Sequence, residues 1–444
     1  MGSEPIDVLL VGFGAIGGIH SYVLEKSQRC RVTAIARSLY DSIQTHGLTI
    51  SSKKYGLIEN WRPYRLVRSA EEAADRSYRF IVCCVKCLPD VQPTSAILAP
   101  FLQPYQQASP DGRKNPPPTI VLLQNGIGIE QPLAEAFPSV HIISCVTWIM
   151  VNLTTSQPLV TDGTSTPEIC AVNPAGPRIE HGALDRLLVG LYEGEGLTDT
   201  HDGPGHRPCN SYVEGLLAED RTPLIGSART KKLQNGTSEM KLFLDIITAG
   251  GCEAEAVENI QPARWAKNLN NGAFSTMCTL SRASVAQCLA PLMLPYTLPA
   301  ARGIMLEMID VGRALGYREA ELPAKSADEV LNLMLQNYQS KGNVPTPSTL
   351  KTPGGNQAAS RSINPHVSPE EKDGDSAEDK SVEVDEPLDI GLRSFKPSML
   401  VDMERNRPIE LEAIIGAVLE RAKSKAIETP RLDLLYAVLK VKHK

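Results

Sequence analysis

One run constrains this chain more than any other: Asp7-Val8-Leu9-Leu10-Val11-Gly12-Phe13-Gly14-Ala15-Ile16-Gly17-Gly18. Asp7 to Val11 is short and almost wholly apolar, the pattern of a strand buried on both faces. It ends in Gly-x-Gly-x-x-Gly, and a helical pattern follows through Tyr22 and Leu24. In a dinucleotide site each glycine has its own task. Gly12 makes the tight turn, Gly14 lets a pyrophosphate approach the backbone, and Gly17 lets the helix close on the strand. The helix N-terminus then offers free N–H groups and positive partial charge to the phosphates. The whole turn, Gly12, Phe13, Gly14, Ala15, Ile16 and Gly17, is therefore expected to hold a cofactor. The strand before it and the helix after it separate it from an ordinary glycine-rich turn.

Strand-like runs recur at Arg31–Arg37, Phe80–Val85 and Thr119–Leu123, with helical patterns between them. That alternation predicts an α/β, Rossmann-type doubly wound parallel sheet. Further strand-like runs lie at His141–Val151, Glu168–Val172 and Glu253–Val257, the last after a helix over Met240–Thr248 and a Gly250-Gly251 stop. From Pro262 onward only helical patterns remain, over Ala263–Leu280, Leu298–Leu315, Ala327–Gln339, Pro397–Arg405 and Pro408–Lys425. Pro262 and Pro408 stand where helices commonly start. At 444 residues one core is not enough. The expected division is a nucleotide-binding domain over 1–261 and an all-helical C-terminal domain over 262–444.

Three stretches break the pattern. Residues 107–118 are polar and Pro-rich, and 193–239 are rich in Gly, Pro and polar residues. Residues 341–390 have no aromatic side chain and an acidic run from Glu370 to Asp389. A segment of that composition buries too little apolar surface to offset ordering entropy, so disorder is expected there.

Composition excludes several classes. A net charge of −6 gives no basic surface for nucleic acid or an anionic membrane. No apolar run is long enough to span a bilayer, and no signal peptide is read at the N-terminus. Ten scattered cysteines fit a reducing compartment, and a cytoplasmic location is expected. Cys84-x-x-Cys87 reads as buried strand cysteines, and His201, His206 and Cys209 lack a fourth ligand at sensible spacing. No metal site is expected.

The second strand ends Ala34-Ile35-Ala36-Arg37-Ser38, with no carboxylate for a ribose 2′-OH. Arg37 can instead pair with the 2′-phosphate of NADP. Strand ends in such a sheet face the ligand crevice. Lys86 follows the third strand, either over the cofactor or as a solvated loop lysine. Gln124-Asn125-Gly126 follows the fourth, either as a tight turn or with Asn125 on ribose or substrate. Lys267, Asn271 and Ser275 are spaced by four and share one helix face. No charge stands between Lys267 and Arg282, so this stripe reads as the lining of a cleft at the domain junction. Ser398 and Asp402 share a face of a later short helix. Glu410 either caps the next helix or partners Lys267.

Taken in order, these motifs resemble those of the ketopantoate reductase (2-dehydropantoate 2-reductase) family. The resemblance rests on Gly12-x-Gly-x-x-Gly17, Arg37, Lys86, Gln124-Asn125-Gly126, Arg264-Trp265-x-Lys267-x-x-x-Asn271, Ser398-Met399-x-x-Asp402 and Glu410. It implies NADPH in the cleft between the two domains and reduction of 2-dehydropantoate to pantoate, as in pantothenate biosynthesis. Lys267 and Glu410 would be catalytic, Asn271 and Ser398 would hold the keto acid, and Asn125 would touch both cofactor and substrate. Ser275 stands where many relatives carry a second asparagine and is carried over as a substrate contact. The partner is then a small 2-keto acid, with no nucleic acid and no membrane, and a homodimer is allowed. Two other readings stay open: reduction of a different 2-keto acid in secondary metabolism, and a non-catalytic NADPH-sensing or scaffold role.

Overall fold

The computed structural model describes residues 4–105, 116–155, 176–194, 228–338 and 396–442. Strand β1 (Ile6–Val11) lies inside the sheet, parallel to β2 (Cys30–Ile35) on one side and to β6 (Phe80–Cys83) on the other. Val8, Leu9 and Leu10 are fully buried, which is why this segment is an unbroken apolar run. Helix α1 (Ala15–Lys26) returns the chain from β1 to β2. The strand order is β4-β3-β9-β8-β7-β6-β1-β2-β5, with β10 also paired to β9. Here β3 is Leu48–Ser52, β4 Gly56–Trp61, β5 Arg65–Val67, β7 Thr119–Leu122, β8 Ile142–Thr154, β9 Arg178–Leu191 and β10 Glu253–Ala256. Helices α2 (Tyr40–His46), α3 (Ala70–Ala73), α4 (Thr94–Leu102) and α5 (Gln131–Ala136) connect strands of this half. The chain leaves β1 toward β2 and later crosses back to β6. The carboxyl ends of β1 and β6 therefore flank the crevice where such sheets bind ligands.

The expected strands β2, β1, β6, β7 and β8 run parallel, and β5, which was not expected, adds a further parallel strand beside β2, but the sheet does not stay parallel. β9 runs antiparallel to β8, and β3 and β4 form an antiparallel hairpin joined to β9 through β3. The strand expected at Glu168–Val172 lies outside the described residues. So do the acidic stretch 341–390, most of 107–118 and residues 195–227 of the second insertion. The end of that insertion is helical: α6 spans Ala228–Ala249 and starts well before Met240. Gly236 gives it room, since a Cβ there would meet Leu191 Cδ2 at 2.9 Å, and Arg79 pairs with Glu239 at 2.8 Å.

Among the described residues, every element after β10 is helical. α7 (Ile260–Asn270) begins ahead of Pro262, because the Asn259 side chain caps it by accepting the Gln261 N–H at 3.0 Å. The chain continues through a π turn (Asn271–Ser275), α8 (Thr276–Ser281), α9 (Val285–Cys288), α10 (Leu294–Ala314) and α11 (Ser326–Tyr338). After the undescribed stretch come α12 (Ser398–Glu404), a second π turn (Glu412–Gly416), α13 (Ala417–Ser424) and α14 (Pro430–Lys442). Pro408 lies in the loop before the second π turn, not at a helix start. The two halves interlock: Ile127 of the sheet half is buried in the helical core, and Ala413 of the helical half is buried against a face of the sheet. No helix among the described residues is long and apolar enough to cross a membrane.

Candidate active site

The glycine turn after β1 forms an open cradle. Gly12 has φ +101°, and a Cβ there would stand 2.6 Å from the Val85 amide nitrogen. Only glycine fits both the conformation and the space. Gly14 is exposed, a Cβ there would meet nothing within 4 Å, and it precedes α1 with no side chain capping the helix. The first turn of α1, with Ala15 and Ile16, thus presents backbone N–H groups to an approachable surface. Gly17 lies under the turn, where a side chain would run into the Gly12 carbonyl. The Phe13 ring is buried and stacks on Trp61, so this residue borders the cradle through its backbone only. Its N–H donates to the Ile35 carbonyl at 3.3 Å, which ties the turn to the end of β2. Arg37 follows there, exposed and without a partner among the described residues. A backbone cradle for a pyrophosphate beside a free guanidinium is the donor set that an NADP nucleotide needs.

Across the cleft, α7 carries Arg264 and Lys267. Arg264 is buried and lies 3.0 Å from the fully buried Glu130. Its guanidinium donates to the carbonyls of Gln124 at 2.9 Å and Gly126 at 3.2 Å, and to Ser144 Oγ at 2.6 Å. One arginine thus fixes the loop after β7 against α7 and β8. Asn125, inside that loop, accepts from Lys267 Nζ at 2.9 Å. Lys267 also donates to Thr147 Oγ1 at 3.1 Å and to the Thr147 carbonyl, and it stands 6.0 Å from the Trp148 ring centre. Desolvation holds the Lys267 pKa down to about 7, helped by the nearby Arg264 charge and opposed by Glu410. An ammonium with that pKa exchanges its proton near neutrality, and Lys267 lines one cleft with Gln124, Asn125, Gly126, Val146 and Asn271.

The third group spans the two halves. Lys86, after β6, forms an ion pair with Asp402 of α12 and lies 3.8 Å from Glu410 Oε2. Both carboxylates are buried, and Glu410 Oε1 accepts the Cys87 N–H at 3.0 Å. Glu410 therefore neither caps its own helix with its side chain nor pairs directly with Lys267. It acts on Lys267 through its charge. Cys84 and Cys87 have thiols pushed up by burial, Cys87 to about 12, and behave as packing groups.

Three comparisons bear on this arrangement. The chain matches the description "Ketopantoate reductase PanE/ApbA" over residues 8–166, and its C-terminal counterpart over 259–352 and 364–443. The chain belongs to the ketopantoate reductase family. An uncharacterized protein of Saccharomyces cerevisiae is 23% identical to it over 437 residues, covering 97% of this chain and 92% of the relative. The 2-dehydropantoate 2-reductase structure from Methylococcus capsulatus matches with TM-score 0.57 and 23% identity, over 98% of this chain and 96% of that one. A D-mandelate dehydrogenase solved with NADH and anilino(oxo)acetate matches with TM-score 0.58 and 15% identity, over 99% and 98%. The protein is thus an NADP-dependent oxidoreductase of the 2-keto acid class.

In this family member Asn125, Lys267 and Asn271 meet at one cleft. Ser275 is buried and does not line it, and Ser398 is an exposed first residue of α12. Three neighbours of the site were not singled out from sequence as site residues: Thr147, Trp148 and Glu130. Ser144 and Thr147 did leave a signal, as polar residues interrupting the apolar run of β8. Glu130 left none, since a lone loop glutamate gives no hint of burial.

Proposed function

We propose that this ketopantoate reductase family member reduces 2-dehydropantoate to (R)-pantoate with NADPH. One observation carries the proton side of the reading: the Lys267 ammonium, held by Asn125 and Thr147 in a cleft, with a pKa of about 7. Bound nicotinamide supplies the hydride. Reduction of a ketone also needs one proton on the oxygen, and Lys267 is the acid positioned to give it. Asn125 and Thr147 hold the amine in place, and Glu410 tunes its charge from a distance. Asn271 lines the same cleft and offers an amide to a substrate hydroxyl or carboxylate. Ser398 and Ser275 would reach the substrate only after a movement of α12 or of the π turn. Lys86 occupies Asp402 and Glu410 in the free protein and is free to turn toward a bound nucleotide.

A second reading follows from Trp148. Its half-buried ring stands beside Lys267 and favours a flat aryl 2-keto acid. Purified protein with NADPH and a panel of 2-keto acids, 2-dehydropantoate and an aryl keto acid among them, separates the readings. Preference for 2-dehydropantoate supports the first, and preference for the aryl acid replaces it by the second. No NADPH consumption across the panel would overturn both.

A further inference from the structure

A second cluster of ligating side chains lies away from the cleft, where α1, β9 and the turn before β10 meet. A ring nitrogen of His20, a carboxylate oxygen of Asp185 and the sulfur of Cys252 lie within 4.8 Å of one another. All three residues are at most 2% exposed. The hydrogen bonds determine which atom of each is available. His20 Nδ1 is 2.9 Å from the Ile16 carbonyl, which only accepts, so Nδ1 carries the proton. Burial lowers the His20 pKa and keeps the ring neutral. Nε2 is then a bare lone pair, buried and with no partner among the described residues. Cys252 Sγ lies 3.4 Å from Asp185 Oδ1, and Tyr55 donates its hydroxyl proton to Asp185 Oδ2. Lys54 sits 4.0 Å from Oδ2, drawn away by Glu253 at 3.5 Å and by the Asp185 carbonyl at 3.2 Å.

The neighbouring His181 is not equivalent. Ser52 Oγ accepts N–H groups from Lys54 at 3.1 Å and Tyr55 at 2.8 Å, so its own proton goes to His181 Nδ1 at 2.8 Å. That leaves His181 Nε2 protonated and unable to ligate. His20 alone presents a lone pair, with its other ring nitrogen donating to a backbone carbonyl, the arrangement found behind metal-bound histidines.

We propose that His20, Asp185 and Cys252 form a binding site for a divalent zinc-type cation, separate from the reductase cleft. Imidazole nitrogen, thiolate and carboxylate are the donors such a cation takes, with solvent oxygen in a fourth position. Binding displaces the Cys252 thiol proton to solvent. A dication with one carboxylate, one thiolate and one neutral imidazole then leaves no net charge in the buried site. Tetrahedral zinc sets donor atoms about 3.3–3.8 Å apart. The cluster must contract by about an ångström, within reach of side-chain rotation. The ion would staple α1, whose N-terminus forms the nucleotide cradle, to β9 and the turn before β10.

The test uses the full-length, untagged chain, stripped with a chelator and titrated with Zn²⁺ or Co²⁺. One equivalent of Zn²⁺ should bind and raise the melting temperature. Co²⁺ should give a thiolate-to-metal charge-transfer band. Cys252→Ser, which keeps a hydrogen-bond donor to Asp185, should remove the band, and His20→Ala should weaken Zn²⁺ at least 10-fold. Absence of stoichiometric binding would overturn the site, as would a band or melting shift that survives in Cys252→Ser. The serine variant decides the matter if His20→Ala does not fold.

Discussion

The sharpest consequence of the cleft geometry is a pH dependence opposite in sign for the two reaction directions. Lys267 has its pKa lowered from the ordinary 10.5 to about 7 by desolvation and the Arg264 charge. Ketone reduction needs the ammonium, so kcat/KM for the keto acid at saturating NADPH should be flat below pH 7 and fall above it. At pH 9 about 1% of the amine remains protonated, which predicts a rate about 100-fold below the plateau. Oxidation of the hydroxy acid needs the neutral amine and should rise through the same pH. Removing the charge with Glu410→Gln takes away an electrostatic influence that raises the Lys267 pKa, so the break should move to lower pH. Lys267→Ala should lower kcat about 10²–10⁴-fold, the span of a positioned general acid, and abolish the break. NADPH affinity should survive, because the Gly12 turn and Arg37 lie on the other half. The assay is NADPH absorbance over pH 5.5–9.5 in both directions. A reduction rate independent of pH across that range, or a break that persists in Lys267→Ala, would refute the assignment of the proton to this residue.

Arg37→Ala should weaken NADPH by about 1.5–3 kcal/mol and leave NADH nearly unchanged, as read by fluorescence titration of both nucleotides. Gly12→Ala forces a Cβ onto a residue at φ +101° and 2.6 Å from Val85 N, so it should cost about 1–3 kcal/mol or more and lose nucleotide binding. Arg264→Met leaves Glu130 as an uncompensated buried charge and frees the 124–126 loop. Denaturant unfolding should show a loss of about 3–5 kcal/mol. Lys86→Met removes the cation between Asp402 and Glu410. Because Lys86 is 37% exposed, the loss should be about 1–2 kcal/mol rather than a full buried-pair value.

Strands β1, β6 and β7 were legible because each is a nearly continuous apolar run bounded by turns, as at Leu9 and Ile81, buried on both faces, whereas the parallel β5 (Arg65–Val67) and β3 (Leu48–Ser52) are too short or too polar to show one. β9 was not legible either. Its alternation Ile179, His181, Leu187, Val189 is the period of a half-buried strand, but His181 and Asp185 are buried polar groups in it and disguise the pattern. Those same residues belong to the cluster around His20 and Cys252. Residues so far apart in sequence leave no ligand spacing to read. α14 (Pro430–Lys442) went unread although Thr429-Pro430 is a start signal of the kind read at Pro262, and Leu432 and Leu439 bury fully. In the cleft, Asn125, Lys267 and Asn271 were legible, since a strand-end loop and one helix face dictate where they go. The partners of Lys267 and Glu410 were not, because Thr147 comes from mid-strand and Lys86 from the opposite half. Such pairings are properties of the packed molecule.

The failure at Ser275 has a more specific cause. Spacing by four places residues on one face only while the helix keeps 3.6 residues per turn. Asn271–Ser275 is a π turn, and in that wider turn Asn271 stays at the cleft while Ser275 is buried away from its lining. A π turn also spoils regular i→i−4 bonding, so something must compensate for it. The second π turn shows what does. There the Ala417 N–H donates to Glu412 O, five residues back. The Ala413 carbonyl accepts the Ile127 N–H at 2.9 Å, and the Ile414 carbonyl accepts Asn268 Nδ2 at 2.9 Å. The irregular turn thus binds the sheet half through one carbonyl and α7 through the next. A glycine makes the approach possible: a Cβ on Gly126 would stand 2.7 Å from the Ala413 oxygen. Asn268 follows Lys267 directly, and Gly126 follows Asn125. The same irregular backbone that hides from helical periodicity therefore fixes the relative position of the amine and the amide at the cleft.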